Sequence, residues 1–268
     1  MDSNTKVCPM FPSPSRKPQL RVVILDHPKQ MLDNDNVKRT FAEIVGSRQT
    51  SFHRTLDTYI ALDKLDMIGT HFLILDVTEI YHPRILSGIR LTYSKRCGEF
   101  GLTLPLDENI QRASLPTQRF YESFKRGKEN IAECNGWFVD QNFSFAKTNL
   151  DLAQILFFSL TTYLLRQGIT SFTGATNERY KGSRWVAKVG PFQDGHLFNH
   201  PAVSDPHKVT LVERFYQDWL LECFEKFGAL LHARYEMVPD SVLLRPLDEI
   251  EAEVRHAAAF TAKISKTS

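Results

Sequence analysis

The chain has 268 residues, 42% of them hydrophobic and 24% charged, with 33 lysines and arginines against 31 aspartates and glutamates. That is globular composition with enough apolar content for a substantial core, and a net charge of +2 lies too near balance to imply a nucleic-acid partner. Cys8, Cys97, Cys134 and Cys223 are widely spaced; with no CxxC and no Cys/His cluster they support neither a zinc site nor a disulfide framework, and read as free thiols in a reducing compartment.

Residues 1–19 carry Pro9, Pro12, Pro14 and Pro18 among Ser, Lys and Arg, with no apolar stretch. They read as a disordered arm and not as a signal peptide. Residues 21–25 form a short apolar run that suits a strand. Residues 35–46 place Val37, Phe41, Ile44 and Val45 at helical spacing, and Gly46 reads as the stop. Residues 71–75 read as a strand ended by Asp76, and residues 84–93 as the next, with β-branched and aromatic content. Residues 94–118 read as irregular, 118–128 as a short basic helix, and 131–140 as a third strand. Asn149 or Asp151 can cap a helix that runs to Arg166 and stops at Gly168. That helix is apolar on nearly every side, so it is central. Its apolar stretch is about half a membrane span, so no span is expected and the protein is expected to be cytoplasmic.

Residues 169–175 read as a strand, 178–189 as a helix, and 193–198 as a turn into a strand. Two helical segments follow. In 210–227, Leu211, Phe215, Trp219 and Phe227 fall on one face; 247–263 is more polar. This order predicts one α/β layer with a mixed sheet and not a βαβ nucleotide fold. No GxGxxG follows a strand and no Walker loop is present.

Among the polar residues, Asp63 and Asp66 are spaced by one helical turn. They suit recognition of a cationic substrate, or form a solvated acidic face. Arg90 lies in an apolar strand and needs a partner, either one of those aspartates or a substrate carboxylate. Glu133 opens a strand as a lone acid, as a general base for an attacking amine would, or as a strand-end ion pair. The nine histidines lack HxxxH or HExxH spacing, so no metal is expected. Ser87 and Ser183 have no nucleophile elbow, and Cys134 reads as an inert buried thiol.

Taken in order, Arg48-Gln-Thr-Ser-Phe52, Asp63-Lys-Leu-Asp66, Gly88-Ile-Arg90-Leu91 and Glu133-Cys-Asn-Gly136-Trp137 resemble the motifs of the autoinducer (acyl-homoserine lactone) synthases. These and the related N-acyl amino acid synthases are a branch of the GNAT acyltransferase superfamily. Arg166-Gln-Gly168-Ile169, Thr173, Val189-Gly190-Pro191 and Asp194-Gly195 continue the likeness, which covers roughly residues 40–200. The resemblance implies a GNAT-like three-layer α/β sandwich with a central mixed sheet, spanning residues 20–204. Residues 205–268 would then be a C-terminal helical extension packed on the same domain.

It further implies transfer of a fatty acyl group from a thioester, on acyl carrier protein or CoA, to the amine of an amino-acid-like substrate. With S-adenosylmethionine as the amine the product is an acyl-homoserine lactone; otherwise it is an N-acyl amino acid. An ordinary GNAT acetyltransferase and a non-catalytic acyl- or partner-binding descendant are the alternatives. No tightly bound cofactor is implied. Glu133 would be catalytic. Arg48, Phe52, Asp63, Asp66, Arg90 and Trp137 would bind substrate, and Phe138, Phe157, Phe172 and Thr173 would line the acyl pocket. The basic run Arg119, Lys125, Arg126 and Lys128 would meet an acidic carrier protein. Two features depart from the family's pattern, and a third departs from the wider superfamily's in a way the autoinducer synthases share. Gly136 stands where the family has Arg, the interval between Arg90 and Glu133 is long, and the superfamily's pyrophosphate-binding loop at a helix N-terminus is missing between Asp140 and Leu152.

Overall fold

The computed structural model describes residues 18–56, 62–79, 81–143, 149–180, 182–193, 197–199 and 206–267. The chain enters through β1 (Leu20–Asp26), α1 (Asp35–Leu56), α2 (Lys64–Ile68), β2 (Thr70–Asp76) and β3 (Arg84–Tyr93). Three short helices follow: α3 (Ser94–Glu99), α4 (Pro105–Ile110) and α5 (Leu115–Lys125). Then come β4 (Ala132–Val139), α6 (Leu152–Arg166), β5 (Phe172–Asn177), α7 (Gly182–Val189), β6 (Phe192–Gln193) and β7 (Leu197–Asn199). The chain closes with β8 (Pro206–Val212), α8 (Gln217–His232), β9 (Tyr235–Met237) and α9 (Leu247–Thr267).

The strands form one mixed sheet in the order β6-β8-β5-β4-β3-β2-β1-β9, with β7 also paired to β8. β4–β5 and β1–β9 are parallel and the other pairs antiparallel. Helix α6, buried on almost every side, lies on one face with α8 and α9. Asp151 caps it by accepting from the Gln154 amide, which decides between the two candidate caps. Alternate residues of the strands, such as Ile24, Phe72, Ile89 and Leu91, join Phe158, Tyr163 and Phe224 in the core of that face. The opposite face carries α1 over β3 and β4, and two smaller apolar clusters. One lies under α1 around Val23, Leu73, Ile85 and Phe138; the other lies under α3–α5 around Leu106, Tyr121 and Leu211. The fold is therefore an α/β sandwich of three layers with helices at its C-terminus. Among the described residues no helix is long and apolar enough to cross a membrane.

Three expectations from the sequence are corrected. Helix α1 does not stop at Gly46 but continues to Leu56. Val37, Ile44, Arg48 and Phe52 keep one face buried throughout, and that burial outweighs the ~1 kcal/mol a helical glycine costs. Residues 94–118 are not irregular. Cys97, Leu104, Leu106 and Ile110 are all buried, and their shared cluster with Tyr121 and Phe124 stabilises helices too short to persist alone. Leu211 does not share a helix face with Phe215 and Trp219. Residues 206–212 are a strand with Val209, Leu211 and Val212 buried, and its β-branched Val209, Thr210 and Val212 suit a pleated surface; the helix begins only at Gln217. Residues 205–268 thus supply β8 to the interior of the sheet and β9 to its edge, besides two helices. The expected boundary at 204/205 lies outside the described residues, as do most of the N-terminal arm, Cys8, Asp194 and Gly195.

Strands β4 and β5 pair only where Ala132, Glu133 and Cys134 face Phe172, Thr173 and Gly174. Both continue beyond that point, to Val139 and Asn177, with other partners. The sheet is therefore split between them toward the strands' C-terminal ends.

Candidate active site

Three of the sequence motifs meet in one buried ion network, and Asn135 of the fourth bonds to it. Asp63 and Asp66 form a capping box on α2: the Asp63 carboxylate accepts from the Asp66 amide at 2.9 Å, and that of Asp66 accepts from the Asp63 amide at 3.1 Å. The spacing of the two aspartates is thus the capping geometry itself, and it fixes both side chains. Arg48, from α1, donates to both Asp66 oxygens at 2.5 Å. Arg90 Nη1, from β3, donates to Asp66 at 2.5 Å and to Asp63 at 2.8 Å. Its Nε donates to Asn135 Oδ1 at 2.5 Å. Asn135 donates in turn to Thr92 at 3.1 Å.

Two arginines and two aspartates balance. Asp66 is fully buried, and burial alone would raise its pKa. The Arg48 hydrogen bonds and the charges of Arg90 and Arg48 overcome that and hold it at about 2. Burial opposes the charge on Arg90, but Asp66 and Asp63 together raise its pKa. Asp63 reaches solvent, with its side chain 43% exposed. His71, across the strand pair from Arg90, bonds to the Asp66 carbonyl at 2.8 Å. Burial lowers its pKa to about 4, so the ring is neutral.

Glu133 lies two residues before Asn135 and so on the same side of β4. Its carboxyl is buried and accepts from the Leu106 amide on α4 at 3.0 Å. Burial raises its pKa to about 8, only partly offset by that hydrogen bond. The charge of Glu133 in turn helps burial raise the pKa values of Cys97 on α3 and Tyr121 on α5. The long interval between Arg90 and Glu133 thus folds as a cap over this acid.

Gly136 explains one departure from the family motif. It has φ +64°, and the β3–β4 register slips by one residue beside it, a bulge that favours glycine. A side chain here would start from a left-handed backbone, and Arg48 lies across the position, 3.5 Å from where a Cβ would be. Gly88 is also dictated by packing, since the Phe138 ring comes within 2.6 Å of the place its Cβ would take.

The remaining candidates separate. Phe52 is buried one turn beyond Arg48 on α1. Trp137 packs edge-on to Phe157 at 5.5 Å on the α6 face, and its indole N–H has no partner. Phe157 stacks with Phe172, so these three aromatics form one wall. Phe138 lies on the opposite face, in the cluster under α1. Thr173 faces Glu133 across the strand pair, with its hydroxyl donating to the Thr210 carbonyl at 3.2 Å. In the basic run, Lys125 is paired with Asp107 and Glu122, Lys128 lies over the Phe124 ring, and Arg119 and Arg126 are exposed. Among the described residues no group of His, Cys, Asp and Glu could hold a metal ion.

Sequence reasoning missed Asn135, Thr92, His71 and the Leu106 amide. Period-two alternation from Glu133 leads to Asn135, and register leads from Arg90 to His71. The Leu106 contact had no local signal.

No protein-family profile matches the chain, and no curated protein matches it in sequence. Solved structures do match. FeeM, an N-acyl amino acid synthase from uncultured soil microbes, superposes with a TM-score of 0.50 at 16% identity, over 75% of this chain and 93% of that one. BjaI, a CoA-dependent acyl-homoserine lactone synthase solved with MTA, gives 0.53 at 14% identity, over 82% and 95%. The same synthase with SAM and isopentyl-CoA gives 0.51 at 14% identity. At these identities the likeness is one of fold, and it bears out the three-layer α/β sandwich with a central mixed sheet that the motifs implied.

Proposed function

We propose that the chain is an N-acyltransferase. It would move a fatty acyl group from a CoA or carrier-protein thioester to the amine of an amino-acid-like substrate. The observation that carries this is the split between β4 and β5, with a buried carboxyl of raised pKa at its closed end and the Arg48–Asp66–Arg90–Asp63 network beside it. An acyl chain suits the aromatic wall of Trp137, Phe157 and Phe172. A substrate carrying both carboxylate and amine suits the exchangeable Arg90–Asp63 pair, since Asp63 is the network member that reaches water. The fold shared with synthases that acylate amino acids and form acyl-homoserine lactones supports the same reading.

In this reaction the amine attacks the thioester carbonyl, and the C–N bond forms as the C–S bond breaks. Glu133, ionised, takes the amine proton directly or through water and returns it to the leaving thiolate. A pKa near 8 makes it a stronger base than an ordinary carboxylate. Access to it requires the Leu106 hydrogen bond and the α4 cap to yield. Arg119 and Arg126 are the exposed cations to which an acidic carrier would dock.

Of the two amines, we favour S-adenosylmethionine, with an acyl-homoserine lactone as product. A free amino acid is the second reading, favoured specifically by Gly136 standing in place of the family arginine. Purified protein supplied with long-chain acyl-CoA and either amine tests this. Thiol release that depends on the amine is expected, and mass spectrometry of the product identifies which amine is used. Absence of amine-dependent thiol release with both acyl-CoA and acyl carrier protein would contradict the proposal.

A further inference from the structure

The cap over Glu133 is bracketed by two glycines. Gly101 lies between α3 and α4 at φ +63°, and Gly127 follows α5 at φ +77°. A Cβ at either would meet nothing within 4 Å, so a left-handed backbone and not lack of room calls for glycine. Small residues at the ends of elements are common places for a hinge to absorb its change in φ and ψ.

The cap is held down by side chains and not by the sheet's backbone ladder. Leu106, Ile110 and Tyr121 pack in a cluster with Cys97 and with Leu211 of β8. An ion pair ties α4 to α5, with Lys125 Nζ donating to Asp107 at 2.9 Å. Both of those side chains are 26% exposed, so the tie is open to water and contributes little more than a surface pair. The Tyr121 phenol is buried with no hydrogen-bond partner among the described residues, a cost that opening would relieve. Helices of six residues have little stability of their own, and such elements open locally while a sheet stays folded.

The cap meets the site through the Leu106 amide, which donates to the Glu133 carboxyl at 3.0 Å. An N–H directed at that oxygen is the bond an attacking amine makes to its general base. The chain's own backbone thus stands where the substrate nitrogen would stand, and Glu133 is only 2% exposed.

We infer that residues 102–126 are an autoinhibitory gate. Closed, the gate sets the Leu106 amide against Glu133 in place of the amine; it opens about Gly101 and Gly127 when the Lys125–Asp107 pair parts. This rests on the acyltransferase reading of Glu133. The pair is the latch that sets how much of the protein is open, and the apolar cluster under α4 and α5 draws the gate shut again.

The test uses the full chain as wild type, Asp107→Asn and Lys125→Gln. Cys97 lies buried beneath the gate, whereas Cys134 and Cys223 lie in the core of the α6 face. Alkylation by iodoacetamide, mapped to each cysteine by peptide mass spectrometry, therefore separates gate opening from global unfolding. Thiol release from dodecanoyl-CoA is followed in parallel, with S-adenosylmethionine or a mixture of the standard amino acids as amine. Both variants are expected to label Cys97 about two- to fivefold faster than wild type, with Cys134 and Cys223 unchanged, and to raise kcat/KM in step. An effect through charge alone would differ in sign between the two, because one substitution removes a negative charge and the other a positive one. Faster Cys97 labelling in both variants with no acyl transfer by any of the three proteins would uphold the gate and remove the transferase reading. Unchanged Cys97 labelling, labelling of all three cysteines in step, opposite changes in the two variants, or faster labelling without a rise in the turnover of an active protein would overturn the inference.

Discussion

The sheet carries a buried aspartate–arginine cluster on each face, and the two differ in what they leave unfinished. On the α6 face, Asp26 accepts from Arg96 at 2.6 Å and 3.1 Å, from Thr70 at 2.6 Å and from Tyr163 at 2.9 Å. Four hydrogen bonds from three partners thus saturate one fully buried carboxylate, and they tie β1 to β2, α3 and α6. On the other face, Asp63 is half in water, Arg48 keeps an unused Nε, and Glu133 has a single backbone partner and an unusually high pKa. Both clusters contain the same chemistry of paired ions. Saturation suits the first to a brace, and the incomplete bonding of the second leaves groups that the proposed substrate would engage.

Substitutions should separate the two. The largest effect is expected for Glu133→Gln, which keeps the shape of a carboxyl that is mostly protonated at neutral pH. Turnover should fall by about 10²- to 10⁴-fold with little change in denaturant midpoint, measured by thiol release beside urea unfolding. Wild-type turnover would remove Glu133 from the mechanism. Next, Asp26→Ala and Asp66→Ala should each destabilise by about 3–5 kcal/mol, because each strands a buried arginine. If the comparison holds, Asp66→Ala alone also raises the KM for the amine, whereas Asp26→Ala spares it in protein that remains folded.

The pH dependence of stability sharpens the contrast further. The Glu133 pKa is raised from 4.5 to about 8, so its contribution is complete below 4.5 and is lost as pH rises through 8. The His71 pKa is lowered from 6.5 to about 4, so its contribution is complete above 6.5 and is lost as pH falls toward 4. Glu133→Gln should flatten the alkaline limb of the stability curve and leave the acid limb. The smallest effect is expected for Gly136→Ala, about 1–2 kcal/mol of left-handed backbone strain, read as a shift in unfolding midpoint. A neutral result there would mean that the bulge relaxes.

The sequence made the site partly legible because Asp63, Asp66 and Arg90 sit in elements whose periods are short and local. A capping box and an isolated strand arginine both announce a need for partners. Asp26 gave no such signal. It reads as a strand end, and its saturation depends on Tyr163, far along the chain. The helices over Glu133 were illegible for a related reason. Segments of six residues have too little periodicity to be recognised, and they are held by contacts to Val209 and Leu211. The end of strand β8 reads as helix because Leu211, Phe215 and Trp219 fall at helical spacing across a strand, a turn and a helix.

The most direct measurement is mass spectrometry of organic extracts from bacteria expressing the wild-type chain beside Glu133→Gln. The account predicts N-acylated products, acyl-homoserine lactones or N-acyl amino acids, with the wild type and a strong reduction with the variant. Equal amounts from both, or no N-acylated product when purified protein is given acyl thioester and amine, would contradict it.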